Sequence, residues 1–385
     1  FFTNHYGLHD LQSENLKNLK THLSDIILTN GKYCEKFEKK ISKQVNSKYS
    51  VVCNNGTSAL MLALLSLLGN NRIYAIVPNI NFVAIANIIK LLSGKIILCD
   101  VNKDTGMVDD ESFLEILKEC KKKNIKPNVF LPVHYAGEVL NLKKIYKICK
   151  KNKIFVIEDG CHSFGSSKKI NRENIKVGSC KYSDMTTFSF HPVKNITTIE
   201  GGALTTNNKN IYTKLKLLRS HSLKRTYHSD PYNLDPISSL NFRLGEINAL
   251  IGINQINRIN LMRKKIIFLI KNYLKKFEKF EHVKFMNKPT QNIFWHLLVA
   301  KLGKKYSNKK EKLMKFLKSK KIGCQIHYKP LSMHNSLKEI TLLCKTKNSN
   351  LFYRSQLSLP LHTKLNLKDI DYIFKNFKKF DLTNN

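Results

Sequence analysis

The stretch FSFHPVKNITTIEGG, residues 188–202, holds a lysine in an unusual setting. Lys194 follows an apolar, strand-like run and precedes two threonines and a pair of glycines, whereas most of the chain's lysines lie in polar runs such as KECKKKNIKPN. Partial burial disfavours the ammonium form, and a neutral lysine amine is a nucleophile near neutral pH. The setting predicts amine chemistry at Lys194, and the alternative is an ordinary strand-end lysine whose stem packs along apolar surface.

A hydroxyl group stands close to this amine in the sequence. Ser189 alternates with Phe188 and Phe190, so on a strand its side chain can face the opposite side from the two rings. The sequence therefore offers a hydroxyl and an amine at the end of one strand.

A carboxylate closes another apolar run, in IFVIEDGCHSFGS, residues 154–166. Asp159 ends this predicted strand, and a buried carboxylate needs a cationic partner or several hydrogen-bond donors. A protonated pyridine nitrogen would be such a partner; the alternative is a helix or loop cap. His162 follows in the same stretch, and a lone histidine serves packing or hydrogen bonding more often than catalysis.

Two further features follow predicted strands. In VVCNNGTSALMLAL, Gly56 and Thr57 open a helix whose free N–H groups could bind an anion, although Thr57 could also be a plain helix cap. The sequence GxxxxGK[ST] of a P-loop is absent. In VPNINFVAIAN the ring of Phe82 could cover a flat ligand, with core packing as the alternative. Together an anion site, an aromatic ring, an acid and a lysine predict pyridoxal 5′-phosphate as cofactor.

The elements that must position these residues alternate between short apolar runs and helical segments across residues 49–212. This alternation predicts a mostly parallel α/β sheet with helices on both faces, which binds ligands at the carboxyl ends of its strands. Residues 1–45 are predicted to form helices that precede the sheet. We expect two domains, residues 1–245 and 246–385.

The second domain is predicted to be smaller and of α+β type. It begins with a long helix over about residues 244–280. Strands are expected near residues 295–300 and 323–328, and a helix near residues 367–377.

Composition restricts the class of protein further. The 385 residues carry a net charge of +38, spread over all helix-like segments, which we interpret mainly as a compositional bias of solvated faces. A docking surface for an anionic partner is the alternative, and nucleic acid is not the expected partner. No apolar run reaches the ~20 residues of a membrane span. Nine scattered cysteines without CxxC or zinc spacing favour a reduced cytoplasmic protein without a metal site.

With these motifs the chain resembles a known family, the fold type I PLP-dependent sugar aminotransferases of the DegT/DnrJ/EryC1/StrS group. The resemblance implies the aspartate aminotransferase-like transferase fold, with a large domain of mostly parallel mixed sheet and a smaller C-terminal α+β domain. The motifs that carry it occur in family order and include NNGTSALMLAL, PNINFVAIAN, LPVHYAGEVLNLKKI, IEDGCHSFGS, FSFHPVKNITTIEGGALTTN, RSHSLKR and LNFRLGEINALIG.

The resemblance implies roles for individual residues. Lys194 matches the lysine that binds the cofactor covalently, Asp159 the acid paired with the pyridine nitrogen, and His162 the position beside the phenolic oxygen of the ring. Phe82 matches the stacking aromatic residue. The expected phosphate contacts are Gly56, Thr57 and Ser189.

Asn241, in LNFRLGEI, matches an asparagine that reaches the cofactor phosphate of the other subunit. The resemblance therefore implies a homodimer with shared active sites.

The resemblance also implies a reaction, in which L-glutamate gives its nitrogen to a nucleotide-linked keto sugar. YSDMTTFSFHPVK and IHYKPL favour the C4 keto group of a UDP-linked 4-keto-6-deoxy-N-acetyl hexose, on a route to surface glycans of the pseudaminic acid type. His191, His327 and Tyr328 are the candidate sugar-nucleotide contacts. One alternative is a GDP-linked sugar such as GDP-4-keto-6-deoxymannose, as in perosamine synthesis. Another is a basic binding protein that keeps this fold without catalysis.

A PLP-dependent dehydratase of the same fold is disfavoured, because that branch has a histidine at the position of Lys194. Four positions depart from the usual family pattern and could narrow the pocket. They are Asn81, Ile199, Ser222 and Ser239.

Overall fold

The computed structural model describes residues 6–11, 27–224 and 233–383. The sequence predicts helices over residues 1–45, and the structure has one helix there, α1 (Lys32–Val45), among the described residues. Residues 1–5 and 12–26 of this predicted region lie outside the described residues. Residues 6–11 do not form a helix.

An eight-stranded mixed sheet forms the centre of the protein. From one edge to the other its strands are β1 Tyr49–Cys53, β9 Gly202–Thr206, β8 Met185–Ser189, β5 Phe155–Asp159, β4 Val129–Phe130, β2 Tyr74–Pro78, β3 Lys95–Cys99 and β14 Thr341–Cys344. The six strands from β8 to β14 run parallel, and β9 and β1 pair antiparallel at one edge. Apolar and β-branched residues dominate these strands, as expected for a sheet that is buried on both faces.

Helices connect the strands, and a β-hairpin that the sequence did not predict, β6 (Ser167–Ile170) with β7 (Glu173–Lys176), follows β5. Side-chain caps begin several helices. The Asp109 carboxylate, for example, accepts the Ser112 N–H at 2.9 Å at the start of the helix Asp110–Lys122. The connecting helices are α2 Gly56–Leu68, α3 Ala84–Leu91, α4 Asp110–Lys122, α5 Lys143–Lys151 and α6 Lys209–Leu218.

The predicted long helix is confirmed as α7, Glu246–Phe277. Its first residue, Glu246, is 1% exposed and accepts the backbone N–H groups of Gly31, Tyr33 and Cys34 at 2.9, 2.8 and 3.0 Å. Because Gly31 has no side chain with which to cap α1, this carboxylate satisfies the start of α1 from a distant point in the chain.

A three-stranded antiparallel sheet follows α7. Its strands, in order, are β12 Val283–Phe285, β13 Leu298–Leu302 and β15 Gln356–Leu359. The predicted helix near residues 367–377 is confirmed as part of α11, Leu367–Thr383. Among the described residues, the other strands and α-helices are β10 Leu223–Lys224, β11 Asn233–Leu234, α8 Lys304–Ser307, α9 Lys310–Ser319 and α10 Lys347–Ser355.

The predicted strand at residues 323–328 is wrong. Only one isolated bridge forms there, between Gln325 and Ser358, and Pro330 then removes a backbone donor. In addition, β14 belongs by sequence to residues 246–385 but pairs parallel with β3 of the large sheet. The division into domains at residue 245 stays a prediction.

A search of the described residues for a helix long and apolar enough to cross a membrane finds none.

Candidate active site

A cavity of about 450 Å³ lies at the carboxyl ends of strands β2, β5 and β8. Segments that are far apart in the sequence form its wall. The lining residues are Tyr6, Asn55, Gly56, Thr57, Leu60, Asn81, Phe82, Ala84, Ile85, Val133, Asp159, Cys161, His162, Ser189, His191, Val193, Lys194, Glu200, His296, Gln325, His327 and Tyr328.

Lys194 is half-buried in the cavity wall, in the loop between β8 and β9. Its backbone N–H donates to the carbonyl oxygen of His191 at 2.9 Å, which fixes the turn after β8. Burial lowers the pKa of the Lys194 amine, and the nearby Cys161 and Asp159 oppose this shift. The chain therefore places an amine with a reduced proton affinity beside an acid.

Asp159 ends β5 and is 8% exposed. One carboxylate oxygen accepts the backbone N–H of Cys161 at 3.0 Å, which fixes the orientation of the side chain. Its backbone is held from the neighbouring segment, because its N–H donates to Pro132 at 2.8 Å and its carbonyl oxygen accepts from His134 at 3.1 Å. A carboxylate held in this way can accept a hydrogen bond from a cation in the cavity.

The start of α2 faces the end of β8 across the cavity floor. Asn55, rather than Thr57, caps α2, since its side-chain oxygen accepts the N–H of Ser58 at 2.8 Å. Thr57 is exposed to the cavity in the first turn of the helix. A Cβ atom built on Gly56 would lie 2.6 Å from the Cβ of Ser189, so only glycine permits this approach. The free N–H groups of a helix start and two hydroxyl groups thus converge, as an anion requires.

Three rings line another wall of the cavity. Phe82 is 53% exposed, and its ring centroid lies 5.6 Å from that of Tyr328. The phenolic oxygen of Tyr328 lies 2.9 Å from Nε2 of His162, which is 5% exposed. Burial lowers the pKa of His162 well below its ordinary value, with Lys194, His296 and His327 adding to the effect. His162 is therefore neutral.

The two other candidate histidines differ in their surroundings. His327 is 4% exposed, its Nδ1 lies 2.8 Å from the Ser358 hydroxyl, and burial together with the charge of Lys194 lowers its pKa to about 3. Its carbonyl oxygen accepts the hydroxyl proton of Tyr135. His191 is exposed at the rim, with its Nε2 4.0 Å from a carboxylate oxygen of Glu200.

Asn241 does not line this cavity. It is exposed, it forms an isolated bridge with Ser220, and its side-chain oxygen accepts the N–H of Arg243 at 3.1 Å.

Of the four positions that depart from the family pattern, Asn81 alone lines the cavity. Ile199 and Ser222 have φ angles of 70° and 60°, the region that favours glycine. The Ser222 and Ser239 hydroxyls each donate at 2.6 Å to a backbone carbonyl, that of Ile237 and that of Leu218 respectively.

Several residues that line the cavity were not predicted from the sequence. His296 follows a tryptophan at the approach to β13, and its ring centroid lies 4.5 Å from that of His162. Its position in IFWHLLVA, a polar residue within an apolar run, is a signal that could have identified it. Gln325 and Tyr6 carry no such signal, because only the tertiary fold brings them to the site.

Residues 9–378 match the DegT/DnrJ/EryC1/StrS aminotransferase family, and the chain belongs to this family. The fold of PseC from Helicobacter pylori, an aminotransferase involved in the biosynthesis of pseudoaminic acid, superposes with a TM-score of 0.86 at 27% identity, covering 98% of each chain.

A sequence relative agrees with this assignment, and a further solved structure agrees with the fold. UDP-4-amino-4,6-dideoxy-N-acetyl-beta-L-altrosamine transaminase from Campylobacter jejuni subsp. jejuni is 33% identical over 373 residues, 96% of this chain and 95% of the relative. The protein Spr1654 from Streptococcus pneumoniae, solved in its PLP form, has the same fold, with a TM-score of 0.84 at 23% identity over 97% of each chain.

Proposed function

We propose that the protein is a PLP-dependent aminotransferase that transfers the amino group of L-glutamate to the C4 keto group of a UDP-linked 4-keto-6-deoxy-N-acetyl hexose. The observation that carries the proposal is the placement of Lys194 and Asp159 in one cavity, close enough for the charge of the acid to act on the amine. The resemblance to the Campylobacter jejuni transaminase supports the choice of acceptor sugar.

The lining residues fit a flat, anionic cofactor. The buried side-chain nitrogen of Asn81 has no hydrogen-bond partner among the described residues, so the wall retains a donor for a bound molecule. Gly56, Thr57 and Ser189 would hold the phosphate at the start of α2, and Phe82 would cover one face of the ring. Asp159 would pair with the pyridine nitrogen.

When bound, the cofactor supplies an aldehyde carbon and an electron-withdrawing ring. The Lys194 amine would bind that carbon and, once released, would take the proton from the α-carbon of the amino acid. Its reduced pKa keeps a larger fraction of the amine neutral, as both roles require. Asp159 would hold the proton on the ring nitrogen, and His191, His327 and Tyr328 would orient the sugar.

The site is proposed to be shared between two subunits of a homodimer. Asn241 is exposed and outside its own cavity, as expected of a residue that reaches the cofactor phosphate of the partner.

The test is mass spectrometry of the products formed from L-glutamate and a small panel of UDP- and GDP-linked 4-keto sugars. Amination of the UDP-linked N-acetyl sugar is expected, and Lys194→Ala should abolish it. Lys209→Ala, an exposed lysine at the start of α6, is the matched control and should remain active. Preference for the GDP-linked sugar would show that the proposed UDP-linked acceptor is wrong. Unchanged activity of Lys194→Ala would contradict the proposed mechanism.

A further inference from the structure

A polar cavity of about 270 Å³ lies outside the candidate active site. The end of α1, the β6–β7 hairpin, α7 and the segment before β13 contribute to its wall, and none of its lining residues lines the cavity that holds Lys194. The described lining carries an arginine, a lysine, four amide side chains and two serine hydroxyls, but neither aspartate nor glutamate. An anion in this cavity would therefore meet positive charge and neutral donors.

Arg263, on α7, is a half-buried cation in this wall. Burial lowers the pKa of its guanidinium group, and no carboxylate among the described residues opposes this shift. Two of its five N–H groups donate to the carbonyl oxygens of Gln291 and Gly165, at 3.2 and 2.7 Å. Its buried Nε–H has no acceptor within the described part of the chain. Because arginine stays charged in proteins, the guanidinium lacks the anion that would compensate its burial.

Lys176, at the end of β7, is a second half-buried cation that lines the same cavity. One of its N–H groups donates to the carbonyl oxygen of Gln44 at 2.8 Å, and an ammonium group has three such donors. Within the described residues no carboxylate pairs with Lys176. The wall therefore presents two positive charges that the protein itself leaves without a counter-charge there.

Neutral polar groups stand around the two cations. The side-chain amides of Asn174, Asn260 and Asn292 are exposed at the cavity, and the hydroxyl groups of Ser166 and Ser167 line it. A phosphate group carries nearly two negative charges at neutral pH and three strong acceptor oxygens, whereas a carboxylate carries one charge and two oxygens. Two cations with several neutral donors match a phosphate group better than a carboxylate.

We propose that this cavity binds a phosphate group, with Arg263 and Lys176 as its charged contacts. The proposal does not depend on the proposed aminotransferase reaction, because the two cavities share no lining residue. Arg263 also holds the backbone of the segments that lead to His162 and His296 in the active-site wall. A bound phosphate group would stabilise the position of both segments against α7.

The test is calorimetric titration with inorganic phosphate at low salt, after incubation with pyridoxal phosphate and removal of the excess. Lys176→Ala and Arg263→Gln should each raise the Kd for phosphate by about tenfold or more, because each removes a charge-assisted contact. Lys169→Ala is the matched control, an exposed lysine of the same hairpin that does not line the cavity, and it should bind phosphate as the wild type does. Since Arg263 also holds two backbone carbonyls, Lys176→Ala decides the result if Arg263→Gln does not fold.

Glycerol 3-phosphate, titrated in the same way, distinguishes two sources of the phosphate group. Tighter binding of glycerol 3-phosphate than of inorganic phosphate would identify a phosphorylated metabolite as the ligand, and the opposite order would identify free phosphate. Either order supports the site only if Lys176→Ala weakens the binding and Lys169→Ala does not. Equal affinity of these two variants for both ligands, or no saturable binding by the wild type, would overturn the proposal.

Discussion

His162 donates a hydrogen bond to Tyr328. The Nε2 atom lies 2.9 Å from the phenolic oxygen, while Nδ1 accepts the backbone N–H of Ala136 at 3.3 Å. Because burial lowers its pKa, His162 is neutral and carries one proton, which must lie on Nε2. The Tyr328 oxygen is then the acceptor, and its own proton is available to a molecule in the cavity.

This arrangement predicts the tautomer of His162. In 15N NMR spectra of the histidine-labelled protein, its Nε2 should be protonated and its Nδ1 unprotonated, down to pH values well below 6.5. Spectra of His162→Gln, which lacks the signals, provide the assignment. Protonation of Nδ1, or an imidazolium near pH 6, would contradict the hydrogen-bond direction.

Gly56→Ala should weaken cofactor binding. The new Cβ would lie 2.6 Å from the Cβ of Ser189, so the start of α2 must move away from the end of β8. We expect a loss of about 1–3 kcal/mol in the free energy of unfolding and a higher Kd for pyridoxal phosphate.

Gly303→Ala is the control for this prediction, because its Cβ would meet the nearest atom at an ordinary 3.5 Å. Fluorescence titration with the cofactor measures both variants. Equal affinity of Gly56→Ala and the wild type would show that the close approach is not needed.

Ile199→Gly should stabilise the protein. A β-branched residue at a φ of 70° is strained by about 1–3 kcal/mol, and glycine would remove this strain. Glycine also makes the unfolded chain more flexible, which lowers the free energy of unfolding by about 0.4–1 kcal/mol. A net gain of about 1 kcal/mol is expected in urea unfolding. Ile199→Ala keeps a Cβ and should gain less; an alanine variant as stable as the glycine variant would speak against backbone strain.

Stability should depend on pH through His327. The native protein keeps this ring neutral down to pH about 3, whereas in the unfolded chain it binds a proton below its ordinary pKa of 6.5. The contribution of His327 to the free energy of unfolding is therefore fully present above pH 6.5. It is lost as the pH falls below 6.5, by at most about 1.4 kcal/mol per pH unit.

The difference in free energy of unfolding between the wild type and His327→Asn isolates this effect. Between pH 6.5 and pH 4, the free energy of unfolding of the wild type should fall relative to that of His327→Asn. Parallel curves for the two proteins would refute the prediction.

Local sequence signals were sufficient where a strand ends in the cavity. Asp159, Ser189 and Gly56 lie at the carboxyl edge of the sheet, because apolar runs bounded by turns determine where parallel strands stop. Long-range contacts were not predictable in this way. The capping of α1 by Glu246 and the pairing of β14 with β3 depend on tertiary packing, for which no local pattern exists.

The prediction of a strand at residues 323–328 was wrong because this segment also depends on tertiary packing. Its alternating residues suit a strand, but Gln325, His327 and Tyr328 line the cavity instead of continuing a ladder, and one bridge to Ser358 is all that forms. His327 and Tyr328 therefore lie at the cavity, and their role as sugar-nucleotide contacts stays a prediction.

Of the chain's many lysines, we expect Lys194 alone to bind the cofactor covalently. Borohydride reduction of the protein incubated with pyridoxal phosphate, followed by peptide mass spectrometry, tests it most directly. We expect a single pyridoxyl group on Lys194. A pyridoxyl group on a different lysine, or none at all, would contradict the account.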